Sequence, residues 1–194
     1  SPIQSNLASF QQEMIGIDRM HHFGLKGEGM LVAVFDDGFD NYDELQAFQH
    51  LIDEERILYT YDFVSKIESV DNTLSHGTRV LSILAGQTDS YQGAVPEAQY
   101  ILIITEAPNE YRIEEYNWLF AAEKADSAGV DVINTSLGYF DLFTDPEMNY
   151  SISDLDGETA VITRAASMAA SKGIILVNSA GNTGTNVIAP ADSP

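Results

Sequence analysis

The chain has 194 residues, no cysteine and a formal net charge of −21, with 9 Lys and Arg against 30 Asp and Glu. Its length suits one domain, and 44% hydrophobic residues are enough for a core, which argues against disorder. Without cysteine, a disulfide framework, thiolate metal sites and thiol catalysis are excluded; the negative charge argues against nucleic acid or an anionic membrane as partner.

No apolar run approaches the roughly 18 residues of a membrane span. The start at Ser1-Pro2 shows no charged segment leading into an apolar stretch, so no signal peptide is expected there; a processed product, an engineered boundary or simple Met removal fits.

In chain order, the first buried strand is expected at Met30 to Phe35, ending in Asp36-Asp37-Gly38. Helices are expected at Asp43 to Leu51 and at Gly77 to Ala85. A second strand follows at Tyr100 to Ile104. Arg112 to Ala128 reads as a helix with Ile113, Tyr116 and Phe120 on its apolar face and Glu114, Glu115 and Glu123 toward solvent. Val130 to Leu137 is a third strand. Tyr139 to Ser153 reads as a long surface loop, for want of any period. Gly157 to Lys172, Ala-rich and stopped by Gly173, is a helix, and Ile174 to Val177 is a fourth strand. Short unbroken β-branched runs alternating with helices imply an α/β domain with a mostly parallel sheet.

In such sheets function gathers at the carboxyl ends of strands. Asp36, the residues after Ile104, Ser136-Leu137-Gly138 and Ala180-Gly181-Asn182 all follow apolar runs directly or nearly so. Asp36 alone is as well explained as a loop acid, a phospho-acceptor or a metal-binding acid. His76, at a helix start beside Gly77, is alone more simply structural. The other histidines, His21, His22 and His50, have no zinc spacing. Asn182 is either a turn residue or a side-chain amide donor at an oxyanion site. A receiver domain would require a phospho-acceptor Asp and a Lys after later strands, and neither is present. A dinucleotide fold is excluded because Gly27-Glu28-Gly29 precedes its strand.

Together and in order, these segments resemble the subtilisin-like serine proteases. Val32-Ala33-Val34-Phe35-Asp36-Asp37-Gly38 resembles the family's aspartate motif, a strand ending in Asp-Ser/Thr-Gly. His76-Gly77-Thr78-Arg79-Val80 resembles its histidine motif. Val132-Ile133-Asn134-Thr135-Ser136-Leu137-Gly138 is similar to its substrate-binding strand, and Asn178 to Gly184 to its oxyanion-asparagine motif. Gly93-Ala94-Val95-Pro96-Glu97-Ala98 is similar to the stretch leading into a core strand. The resemblance runs from about Gly27 to the end. The linking sequence around Asp154 to Gly157 looks like secreted members of the Bacteroidetes type.

The resemblance implies a three-layer subtilisin-like α/β fold, of which residues 1–194 are the N-terminal portion. It implies a serine endopeptidase with His76 as general base, Asp36 orienting it and Asn182 donating to the oxyanion. Ser136, Leu137 and Gly138 would pair with the substrate backbone, and Ala180 and Gly181 would line the primary pocket. Tyr111 to Tyr116 is expected to flank the other side of the cleft. Asp37 stands where the family has Ser or Thr; alternation along an extended chain is expected to point it away from the imidazole.

The family's nucleophile lies in Gly-Thr-Ser-x-Ala-x-Pro, and no such segment occurs in the 194 residues. The expected partners are therefore a peptide or protein substrate and a C-terminal fragment of the same protease carrying the serine. Neither nucleic acid nor membrane is expected. The alternative is a truncated, inactive relative acting as a peptide-binding module. No cofactor is required and no metal ligand set is assigned. Calcium is left open: the acids between Asp36 and Asp71 read as solvated charge, and Asp156 as a helix N-cap. The expected location is secreted, extracellular or at the cell surface.

Overall fold

The computed structural model describes residues 7–141 and 143–182, with side chains from Phe10. Two short helices, α1 (Leu7–Ile15) and α2 (Ile17–His22), precede the first strand, β1 (Leu31–Asp36). A 3-10 turn at Gln46–Phe48 leads into α3 (Gln49–Asp53) and β2 (Ile57–Asp62). Then come α4 (His76–Ala85), a small antiparallel hairpin of β3 (Gln87–Thr88) and β4 (Tyr91–Gln92), β5 (Gln99–Ile104), α5 (Ile113–Ala128), β6 (Val132–Thr135), α6 (Val161–Ser171) and β7 (Ile175–Asn178).

The main sheet has the order β2-β5-β1-β6-β7, and every pairing in it is parallel. Alternation along the strands separates two cores. Val32 and Val34 of β1, with Tyr100, Leu102 and Ile104 of β5, face Phe48, Leu51, Leu81 and Ala85. Ala33, Phe35, Ile101, Ile103 and Ile133 face Trp118 and the alanines of α5 and α6. The sheet is therefore a buried middle layer between helices, as its continuous apolar strands require. This is the expected three-layer α/β architecture with a mostly parallel sheet.

Five points differ from expectation. β2 lies at the sheet edge with mixed burial, so its sequence ILYTYD lacked the apolar run that marked the inner strands. Asp43 to Leu51 is a turn, a 3-10 turn and a short helix instead of one helix.

On α5 the expected faces are reversed. Ile113, Tyr116 and Phe120 are 60%, 44% and 48% exposed, while Glu114 and Glu115 are fully buried. The cause is that both acids answer backbone and side-chain donors at the helix start. Glu114 accepts the Ala107 N–H at 2.6 Å and the Tyr111 N–H at 3.0 Å. Glu115 accepts from the Tyr150 hydroxyl at 2.8 Å and the Ile162 N–H at 3.1 Å. Buried carboxylates survive where such donors replace water.

The segment expected as a surface loop instead buries Tyr139, Phe143 and Tyr150. Phe143 lies edge-on to Tyr150, and the Arg112 guanidinium sits 3.5 Å from the Tyr150 ring centroid. Its aromatics pack onto the α5–α6 core without any regular spacing. Asp156, expected as an N-cap, accepts from the Glu158 and Thr159 N–H groups in a turn before α6, whose cap position is Ala160.

Candidate active site

Asp36 ends the central strand. On one side of β1 lies β5 and on the other β6, so the chain leaves β1's carboxyl end where the connections diverge, the usual place for a site in an open α/β sheet. His76 is the first residue of α4, whose buried Leu81 and Ala85 anchor the helix to the same sheet. The imidazole Nδ1 lies 2.7 Å from Asp36 Oδ1. Asp36 is fully buried, whereas the His76 side chain is 51% exposed. The carboxylate thus holds the ring from below and leaves the imidazole open to the surface.

Close packing imposes this geometry. A Cβ on Gly77 would come within 2.5 Å of the Gly38 carbonyl oxygen and 2.9 Å of Asp36 Cβ, so only glycine lets α4 start against the end of β1. Asn72 couples the same two segments. Its amide donates to the Asp37 carbonyl at 3.0 Å and its oxygen accepts the Leu74 N–H at 2.8 Å. A Cβ on Gly38 would overlap that amide, at 2.0 Å from its oxygen. Asn72 was not singled out in the sequence; its position four residues before His76 is a signal only once the turn after Asp36 is known to lie beside it.

The Asp37 N–H donates to Asp36 Oδ1 at 2.9 Å. Burial nevertheless pushes the Asp36 carboxyl up to about 6, against the hydrogen bonds from Asp37 and His76 that favour its charge. The expected orientation of Asp37 is corrected. A carboxylate oxygen of Asp37, one of Asp36 and a ring nitrogen of His76 all lie within 4.8 Å of one another. The strand stops at Asp36, so the alternation that would have turned Asp37 away no longer applies.

A group of acids follows β5. The Thr105 N–H donates to the Asp36 carbonyl at 3.2 Å, which fixes the start of the loop beside the dyad. Glu106 shares a hydrogen bond with buried Tyr139, and burial pushes its carboxyl well upward, helped by the charges of Glu110, Glu114 and Asp36. Glu114 is raised to about 7, chiefly by burial. The Glu106, Glu110, Glu114 spacing was visible in the sequence, but its convergence depends on the turn before α5.

Ser136, Leu137 and Gly138 leave β6 beside Asp36, at the same sheet edge. Leu137 is buried and Gly138 exposed. Ser179, after β7, ties the two strand ends together. Its N–H donates to the Thr135 carbonyl at 3.0 Å and its hydroxyl to the Leu137 carbonyl at 2.9 Å. A cavity of about 310 Å³ opens here, lined by Leu137, Gly138, Val177 and Asn178 with Trp118 and Ile162 behind them. Ala180 and Gly181, expected to line the pocket, are exposed and outside this lining. Asn182 is exposed in a bend just past β7, and Thr183 and Gly184 of its motif lie outside the described residues. The structure therefore joins Asp36 and His76 directly and gathers the remaining candidates on neighbouring strand ends.

Among the described residues no helix is long and apolar enough to cross a membrane. β7 is the outermost strand on its side, with Ile175 and Val177 60% and 49% exposed.

Comparison with known proteins agrees with this fold. The C5a peptidase of Streptococcus pyogenes serotype M6 is 31% identical over 188 residues, spanning 81% of this chain; the chain covers 15% of that relative's length. The crystal structure of MycP1 from Mycobacterium smegmatis matches 95% of this chain and 48% of its own, with a TM-score of 0.65 at 19% identity. The prenylagaramide maturation protease PagA matches 87% of this chain and 52% of its own, with a TM-score of 0.60 at 22% identity. The model of the subtilase family, Peptidase_S8, matches residues 27–194, so this chain belongs to the subtilase family.

Proposed function

We propose that this chain forms part of a serine endopeptidase, supplying its Asp, His and oxyanion-binding Asn. The observation that carries the reading is the 2.7 Å contact between buried Asp36 and half-exposed His76 at the carboxyl end of the central parallel strand. With Nδ1–H donating to Asp36, the other ring nitrogen is free to accept the proton of an attacking serine hydroxyl and later to give it to the leaving amine. The Asp36 charge stabilises the imidazolium formed in between. Asn182 donates to the oxyanion of the tetrahedral intermediate. An extended substrate pairs with Ser136-Leu137-Gly138, where Gly138 lets its backbone approach, and a side chain enters the cavity beside Leu137.

The serine comes from a further segment of the same protease, seated against β7 and its exposed Ile175 and Val177. The partners are thus a peptide or protein substrate and that serine-bearing segment, with neither nucleic acid nor membrane. Family membership and the similarity to a C5a peptidase support the peptidase class and an extracellular or surface location. The chemistry requires no cofactor.

The test is active-site labelling. The protease assembled with its serine-bearing segment is treated with a fluorophosphonate and assayed on a protein substrate. Labelling and hydrolysis, both lost in His76→Ala, are expected. An assembled protein that neither labels nor hydrolyses, yet binds peptide, would instead be a peptide-binding module.

A further inference from the structure

We infer that Asp36, Asp37 and His76 form an inhibitory site for a divalent transition-metal ion such as Zn²⁺. The inference rests on the reading of Asp36 and His76 as the catalytic dyad, and adds to it a role for Asp37. Among the described residues these three are the group whose ligand atoms, one from each, converge within 4.8 Å. Two further facts point to a cation. Asp36 Oδ2 and Asp37 Oδ1 are both buried and have no hydrogen-bond partner, and Asp36 as a whole is fully buried. No Lys or Arg is paired with either carboxylate among the described residues; the ion pair made there is with His76.

Two carboxylates and an imidazole are a donor set for zinc, with ligand bonds of about 2.0–2.2 Å and neighbouring ligand atoms about 3.3 Å apart. The 2.7 Å contact opens only slightly to reach that separation, and the Asp37 carboxylate oxygen already lies within 4.8 Å of the other two ligand atoms. The charge balances: two carboxylates, one neutral imidazole and one divalent cation sum to zero, in a chain whose net charge of −21 concentrates cations around it.

The ion takes the Nδ1 lone pair. The proton that Nδ1 donated to Asp36 is released to solvent, and one is taken up at Nε2, so the imidazole stays neutral as the other tautomer. That tautomer has no free nitrogen with which to accept the serine proton, and the base is switched off until the metal is withdrawn. The residue usual at position 37 in the resembling motif, Ser or Thr, lacks the second carboxylate.

The experiment is calorimetric titration of the full chain with zinc chloride in chelator-free buffer, with His76 ring nitrogens followed by ¹⁵N NMR. One ion per chain is expected, with the ring proton moving from Nδ1 to Nε2. Asp37→Ser and His76→Gln should each weaken binding at least about tenfold. A His21→Gln/His22→Gln double variant should leave it unchanged. Circular dichroism checks that the variants are folded, and Asp37→Ser decides the matter if His76→Gln is not. Absence of 1:1 binding, binding indifferent to Asp37→Ser, or binding lost in the His21/His22 variant overturns the inference. In the assembled protease, hydrolysis that zinc does not inhibit overturns this inference alone. Zinc binding in a protein that never hydrolyses or labels overturns the functional reading alone.

Discussion

Replacing Asp36 by Asn separates the catalytic role proposed for this residue from what it does for the fold. The carboxyl is fully buried and burial raises it from an ordinary 3.8 to about 6. A group raised on folding is least costly when protonated. Its contribution to stability is complete below 3.8 and is lost as pH rises through about 6. That displacement corresponds to about 3 kcal/mol, since each tenfold change in proton affinity is worth about 1.4 kcal/mol.

The Asn variant never ionises. Near pH 3.5 the two proteins should differ by no more than about 1 kcal/mol, the value of one hydrogen bond. Between pH 4 and 7 the variant should become progressively more stable relative to the parent, reaching about 3 kcal/mol at pH 8, or about 6–12 °C in Tm for a chain of this size. The activity of the assembled protease should fall by about 10⁴, because the amide no longer holds the productive tautomer or stabilises the imidazolium. Urea unfolding at a series of pH values, run on both proteins, isolates Asp36 and the groups coupled to it, because titrating groups remote from it cancel in the difference. A stability difference that stays constant from pH 4 to pH 7, or a variant less stable at pH 8, would refute the reasoning.

Three other substitutions probe the supporting structure. Gly77→Ala places a methyl 2.5 Å from the Gly38 carbonyl oxygen and 2.9 Å from Asp36 Cβ, so it should destabilise the chain by about 1–3 kcal/mol, measured by thermal unfolding. Trp118→Ala empties the space against Phe35 and leaves the Thr135 hydroxyl without the indole N–H that now donates to it at 3.1 Å; a loss of about 3–5 kcal/mol is expected in urea. Glu114 is raised to about 7, so its favourable contribution is present below 4.5 and fades as pH rises through 7. Glu114→Gln should therefore flatten the decline in stability over that range. Glu114→Ala should speed hydrogen exchange at the Ala107 and Tyr111 amides, whose acceptor it removes.

Four strands of the sheet, and Asp36 with His76, were legible in the sequence. β1, β5 and β6 are paired on both sides within a parallel sheet, and β7 pairs with β6 at one edge, so their apolar residues are contiguous and need no knowledge of their neighbours to be read. Asp36 and His76 were legible because each sits at a fixed place in a local motif, the end of a strand and the start of a helix.

The rest was not legible there, because it depended on contacts between segments far apart in the chain. Glu114 and Glu115 look like solvent-facing acids until the Ala107 and Tyr111 amides, the Tyr150 hydroxyl and the Ile162 amide are brought to them. Tyr139, Phe143 and Tyr150 lack a period because they fill gaps above a finished α5–α6 layer, where packing follows shape and not spacing. Asn72 acquires its role only where the turn after Asp36 meets the approach to α4. Asp37 differs from its expected direction for the simplest reason of all: the strand whose alternation would have aimed it ends one residue earlier, and a carboxylate oxygen lies within 4.8 Å of Asp36 and His76.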